Sequence, residues 1–187
     1  MHVGVLGAGT MGHGIAQVAA MADHEVTLRD VDQSIVDNGL AAVEANLDEG
    51  VERGKVTDAE RSGTLAKLSG TTDLETAVAD ADLVVEAVPE RMDLKREVFT
   101  EVDAHAPNDA VVATNTSSMS VTEIATALTD PSRVVGLHFY NPVHIMPPVE
   151  VVVAEQTSDE TLRFGQTFVD GIGKEYFTVE DFAGFAS

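Results

Sequence analysis

The segment Gly7-Ala8-Gly9-Thr10-Met11-Gly12 constrains the fold more than any other feature of the chain. It follows the short apolar run His2–Leu6 and opens a helical pattern over Met11–Ala22. A G-x-G-x-x-G is weak alone, but between a strand and a helix it has a definite physical reading. Gly7 permits a tight turn, Gly9 lets the backbone approach a bound group, and Gly12 lets helix and strand pack closely. The helix then offers unpaired N–H groups, at Thr10 and Met11 among others, to an anion. The next strand, Glu25–Arg29, ends beside Asp30, a carboxylate placed to accept from both hydroxyls of an adenosine ribose. The expected ligand is NAD, because a 2′-phosphate at Asp30 would meet like charge. Arg29 pulls weakly the other way, as a basic neighbour able to hold a phosphate. Asp32, past the strand end, reads as a helix cap. The bland alternative is a glycine-rich turn in an α/β domain that binds nothing.

Downstream, short β-branched runs alternate with helical stretches. Gln33–Gly54 carries Ile35, Val36, Leu40, Val43, Leu47 and Val51 on one stripe and ends at Gly54. Thr57 and Glu60 have capping-box spacing, which predicts a helix through Leu68. A short strand at Thr71-Thr72 and a helical turn over Leu74–Ala79 follow. The near-continuous apolar runs Asp82–Val88 and Ala110–Thr114 read as strands covered on both faces. Helices are expected over Met92–Ala104, Val121–Leu128 and Ser158–Ile172, and strands over Arg133–Phe139, Val149–Ala154 and Glu175–Val179. This β-α-β alternation predicts an α/β fold with an open, doubly wound, mostly parallel sheet.

Composition excludes several functions. With 11 Lys+Arg against 32 Asp+Glu the net charge is −21, which argues against nucleic acid as a partner. No apolar run has the length of a membrane span, and no charged leader with an apolar core precedes the first strand, so a soluble, cytoplasmic protein is expected. The absence of cysteine removes thiolate chemistry and Cys-ligated metals, and no metal is expected. The acidic residues form no block, and lysine occurs only at positions 55, 67, 95 and 174. That favours adaptation to high salt over a dedicated acidic binding face, and predicts a need for molar salt.

The chemistry is expected at the far ends of the strands. His138 closes the run Gly136-Leu137-His138 before Phe139-Tyr140-Asn141-Pro142 turns the chain. Pro142, Pro147 and Pro148 bend it, so that Glu150 can return towards His138. A carboxylate on one imidazole nitrogen fixes the tautomer and raises the basicity of the other. The remaining histidines (His2, His13, His24, His105, His144) read as surface or packing residues. Thr114-Asn115-Thr116-Ser117-Ser118 follows an apolar strand in the same way, either to meet a ligand or to cap a helix. Glu86, inside an apolar run, is expected to point into the crevice. Glu90 follows Pro89 at the strand end, and Lys95 comes one helical turn later.

Together these segments resemble the N-terminal NAD-binding domain of L-3-hydroxyacyl-CoA dehydrogenases, including the short-chain 3-hydroxybutyryl-CoA type. The resemblance covers essentially the whole chain. It rests on GAGTMGHGIAQVAA at 7–20, DLVVEAVPE at 82–90, NTSS at 115–118 and HFYNPVHIMPPVEVV at 138–152. It implies a Rossmann-type domain over 1–187, with a helical projection at about 35–68 after the second strand. It also implies His138 as catalytic base and Glu150 as its orienting partner. Ser117 and Asn141 would contact substrate and nicotinamide, and Glu90 and Lys95 would contact cofactor. Arg53 and Lys55 would meet the phosphates of an acyl-CoA, unless they are merely a solvated helix end.

The family continues from a Gly-Phe motif into an all-helical domain that dimerises and closes over the substrate. Here Phe182–Ser187 reaches that motif at Gly184-Phe185 and stops, so the chain reads as a fragment lacking that domain. A homodimer is expected of the longer protein. Two further possibilities stay open: an NAD-binding module inactive by itself, and a related dehydrogenase of a free hydroxy or sugar acid.

Overall fold

The computed structural model describes residues 1–182. Eight strands form one sheet: β1 (His2–Leu6), β2 (Glu25–Arg29), β3 (Leu68–Thr71), β4 (Leu83–Glu86), β5 (Val111–Thr114), β6 (Val134–Phe139), β7 (Pro148–Val153) and β8 (Glu175–Glu180). Their order is β3-β2-β1-β4-β5-β6-β7-β8. β1 to β6 are parallel, β7 is antiparallel to β6, and β8 is parallel to β7. The chain winds outward from β1 in one direction and from β4 in the other. The crevice at this reversal is where an open α/β sheet binds ligands.

Seven α-helices connect the strands: α1 (Thr10–Met21), α2 (Gln33–Glu52), α3 (Asp58–Ala66), α4 (Leu74–Val78), α5 (Met92–His105), α6 (Val121–Ala125) and α7 (Asp159–Gly171). Strand alternation divides the core in two. Val3, Val5, Leu83, Val85, Val135 and Leu137 pack with Ile15 of α1 and Phe168 of α7 on one face. Leu6, Val84, Val112 and Val134 pack with α4, α5 and α6 on the other, around Phe99 and Ile124. The doubly wound reading of the sequence is therefore correct.

Local signals set most boundaries. The Asp32 carboxylate accepts the Ser34 N–H at 2.7 Å and caps α2. Gly54, at φ +66°, lets the chain leave that helix, with the Lys55 N–H returning to the Gly50 carbonyl at 2.8 Å. Thr57 and Glu60 complete the capping box of α3. The projection after β2 is thus the α2–α3 hairpin, tied to α1 by a hydrogen bond of 2.9 Å from the Asn46 side-chain amide to the Gln17 side-chain oxygen.

Some edges differ from expectation. α3 ends at Ala66, and Leu68–Thr71 is the strand, because these residues pair with Val26–Arg29. α6 stops at Ala125, where Thr126 returns its hydroxyl to the Glu123 carbonyl. β4 is shorter than the apolar run around it. The expected Gly184-Phe185 motif lies outside the described residues.

Candidate active site

The glycine turn is built as the spacing requires. Gly7 has φ +101°, and a Cβ there would lie 2.6 Å from the Ala87 carbonyl oxygen. At Gly12 a Cβ would lie 1.7 Å from the Gly7 carbonyl oxygen, so α1 can approach β1 only with glycine. Gly9 has open space where its Cβ would be, at the helix entrance, and α1 has no acidic residue in its first turn. A phosphate-sized anion therefore meets bare backbone and a positive helix end.

Asp30 stands beside this turn. Its carboxylate accepts the Ala8 N–H and the Val31 N–H, each at 2.8 Å. Those bonds aim it at a cavity of about 550 Å³, lined also by Gly7, Gly9, Thr10, Met11 and Ile35. Arg29 borders the cavity, but its Nε donates to the Thr72 carbonyl at 3.1 Å, which draws the guanidinium towards β3. The cradle, open glycine and oriented carboxylate fit a dinucleotide.

The second half of the site lies beyond β4, β5 and β6, in a cavity of about 400 Å³. Met11, Glu90, Lys95, Ser117, His138, Tyr140 and Asn141 all line it. His138 and Glu150 are direct cross-strand partners in the β6–β7 register. That register follows from the turn over residues 140–147, which contains a cis Asn141–Pro142 bond. It puts the two side chains on one face, where neighbours across an antiparallel pair touch. The His138 Nδ1 is hydrogen-bonded to Oε2 of the fully buried Glu150. The expected return of Glu150 to His138 is thus observed. The reversal of β7 was not expected, because an apolar strand pattern is the same in either direction.

Beneath the cavity runs a charged network. Glu86 does not point into the crevice as expected; it is fully buried. It receives the Lys95 ammonium, the Thr114 hydroxyl and the Val88 N–H, each at 2.7 Å. An apolar run flags a buried carboxylate, but only the fold brings Lys95 and Thr114 to it. Lys95 is 1% exposed and also reaches Glu90 at 3.2 Å. Glu90 accepts the Ser117 N–H at 2.9 Å and the Thr116 hydroxyl. Burial works against the Glu90 charge, but the Thr116, Lys95 and Ser117 contacts outweigh it and hold the carboxyl below its ordinary range. The Asn115 side chain accepts the Phe139 N–H at 2.9 Å, joining the Ser117 loop to β6.

Arg53 and Lys55 are not part of this cleft. They border a separate cavity of about 290 Å³ between α1, α2 and the turn carrying His144 and Ile145, and Arg53 pairs with Glu49. Sequence reasoning also left Tyr140 without a role. It lies against the His138 ring, a placement that no spacing in the sequence signals.

A glycine cradle with an oriented carboxylate beside it, at the reversal of a doubly wound sheet, defines a dinucleotide-binding domain of Rossmann type. The chain belongs to the family of 3-hydroxyacyl-CoA dehydrogenase NAD-binding domains, whose model matches residues 2–182. It is 42% identical over 187 residues to a probable 3-hydroxybutyryl-CoA dehydrogenase of Deinococcus radiodurans, covering 100% of this chain and 66% of that protein. It is 39% identical over 183 residues to the 3-hydroxybutyryl-CoA dehydrogenase of Bradyrhizobium diazoefficiens, covering 98% of this chain and 62% of that protein. Among solved structures, the (S)-3-hydroxybutyryl-CoA dehydrogenase of Ralstonia eutropha superposes with a TM-score of 0.96 at 36% identity, covering 100% of this chain and 65% of that one. The chain thus spans slightly less than two thirds of the length of these relatives. Among the described residues no helix is long and apolar enough to cross a membrane.

Proposed function

We propose that the protein is an NAD-dependent 3-hydroxyacyl-CoA dehydrogenase acting on short-chain substrates of the 3-hydroxybutyryl-CoA type. The observation that carries this is the His138–Glu150 pair on a cavity next to the glycine turn. Gly7, Gly9, Thr10, Met11 and Gly12 hold the pyrophosphate, and Asp30 holds the adenosine ribose. When bound, NAD supplies a hydride acceptor for C3 of the substrate.

The residues of the chain supply the rest. With its Nδ1 engaged by Glu150, the His138 imidazole takes the 3-hydroxyl proton on Nε2. The buried Glu150 carboxylate offsets the imidazolium charge. Ser117 and Asn141 hold the reacting oxygen and the amide end of the cofactor in line. Glu90 and Lys95 fix the loop carrying Ser117 and border the cofactor. Arg53 and Lys55, on their separate cavity between α2 and the turn carrying His144, take the phosphates of coenzyme A. In the reverse direction His138 returns the proton to the ketone.

A cytoplasmic setting and a homodimer complete this reading. Tyr176, Phe177 and Phe182, exposed at the β8 end of the sheet, support an apolar contact there. The test is NADH formation from (S)-3-hydroxybutyryl-CoA by protein expressed from its complete gene in molar salt. Absence of NADH, with the nucleotide bound and the protein folded, would leave a binding module in place of an enzyme.

A further inference from the structure

We propose that Tyr140 is a positioning residue for the His138–Glu150 pair: its hydroxyl holds the Glu150 carboxylate while its ring holds the His138 imidazole. The proposal rests on the reading of His138 as the group that exchanges the proton, and extends it to a third side chain.

Three observations place Tyr140 there. It stands two residues beyond His138, just past the end of β6, and lines the same cavity. Its ring centroid lies 4.9 Å from that of His138, at an interplanar angle of 43°. Its hydroxyl lies within reach of Glu150, the same carboxylate that holds the His138 Nδ1.

The physics gives each contact a task. A fully buried carboxylate with a single donor leaves lone pairs desolvated and its plane free to turn. Two donors, the imidazole and the phenol, fix that plane. The tilted ring blocks rotation of the imidazole, so the proton-exchanging nitrogen keeps one direction. The hydroxyl also takes a share of the Glu150 charge, and thus moderates how strongly the carboxylate favours the imidazolium. The other charged groups facing the cavity, Glu90 and Lys95, are tied to each other and leave this balance to Glu150 and Tyr140. Consistent with this, burial, the Glu150 charge and the hydrogen bond to it all push the Tyr140 phenol above its ordinary value.

The chain has two tyrosines and no tryptophan, so tyrosinate absorbance can be assigned cleanly. In a Tyr176→Phe background, pH titration by near-ultraviolet absorbance reports Tyr140 alone. Tyr140 is expected to ionise above the ordinary tyrosine range, and Glu150→Gln is expected to bring it down towards that range. An ordinary midpoint in the Tyr176→Phe protein overturns the proposal whether or not Glu150→Gln folds. No change on Glu150→Gln in a folded protein overturns it as well. In the dehydrogenase assay, Tyr140→Phe should lower kcat about 3- to 10-fold, the equivalent of one ordinary hydrogen bond, with the NAD KM unchanged. Unchanged kcat, or a loss confined to KM, overturns the positioning role. Because the titration needs no turnover, failure of the dehydrogenase reading and failure of the Tyr140 contact give different results.

Discussion

Replacing Lys95 by methionine removes the cation that pairs with both Glu86 and Glu90 and leaves the buried Glu86 carboxylate facing Glu90. Lys95 and Glu86 have side chains 1% and 0% exposed and lie 2.7 Å apart, so solvent screens neither. Breaking such a pair from one side costs about 3–5 kcal/mol, because the remaining charge stays desolvated. For a chain of this length each kcal/mol lowers Tm by about 2–4 °C, which gives a drop of about 6–20 °C. Glu86 keeps its bonds from Val88 and Thr114, which places the expected loss nearer the lower end. The partner variant, Glu86→Gln, should cost less, since Lys95 retains Glu90 at 3.2 Å and the Val88 carbonyl at 3.4 Å. The double variant should be more stable than Lys95→Met alone. Calorimetry in constant salt on all four proteins closes the cycle. A Lys95→Met protein within about 1 kcal/mol of the parent, or strictly additive effects, would show that the pair does not act as a buried unit.

Asp30→Asn should weaken NAD binding about 10- to 150-fold by calorimetric titration, the loss of a charged hydrogen bond; unchanged affinity would remove Asp30 from the ribose site. Burial opposes the Asp181 charge, but bonds from Thr122, Val121 and Ser120 outweigh it, and its carboxyl sits below the ordinary value. Such a group stabilises the fold above about pH 4 and loses that contribution as pH falls through its folded value. Asp181→Asn should therefore flatten the acid limb of Tm against pH. His24 titrates below its ordinary value because burial disfavours its charge, and its Nε2 is buried without a partner. Stability should thus fall as pH drops from about 7 to 5, and less so in His24→Gln. His144, lowered for the same reason, retains part of the effect. With a charge of −21, Tm should rise steeply from dilute buffer to molar salt; full stability in dilute buffer would contradict the salt-adapted reading.

The legibility of the sequence followed the range of the interactions. Gly7, Gly12, Gly54, Asp32 and the Thr57–Glu60 box act within a few residues, so spacing alone exposes the turn and the caps, and the alternation of strand and helix patterns exposes the doubly wound class. The strand-end histidine was equally plain, because position at a strand's carboxyl end carries its own meaning in an open sheet. What escaped depends on pairing across distance. The start of β3 is set by Val26–Arg29 alongside it, and no local pattern marks that register. The antiparallel β7 leaves the same apolar signature as a parallel strand. Glu86 was visible as a charge in an apolar run, yet its burial depends on a lysine from α5 and a threonine from β5. Tyr140 has no periodic signal at all, and its place emerges only when the β6–β7 pair is formed.

The most direct test of the central claim is steady-state NADH formation from (S)-3-hydroxybutyryl-CoA by the parent protein and by His138→Gln. Loss of a general base costs about 10²- to 10⁴-fold, so the variant should lose kcat by that factor while binding NAD as the parent does. A variant that turns over at the parent rate would contradict the assignment of His138, and with it the mechanism built on the His138–Glu150 pair.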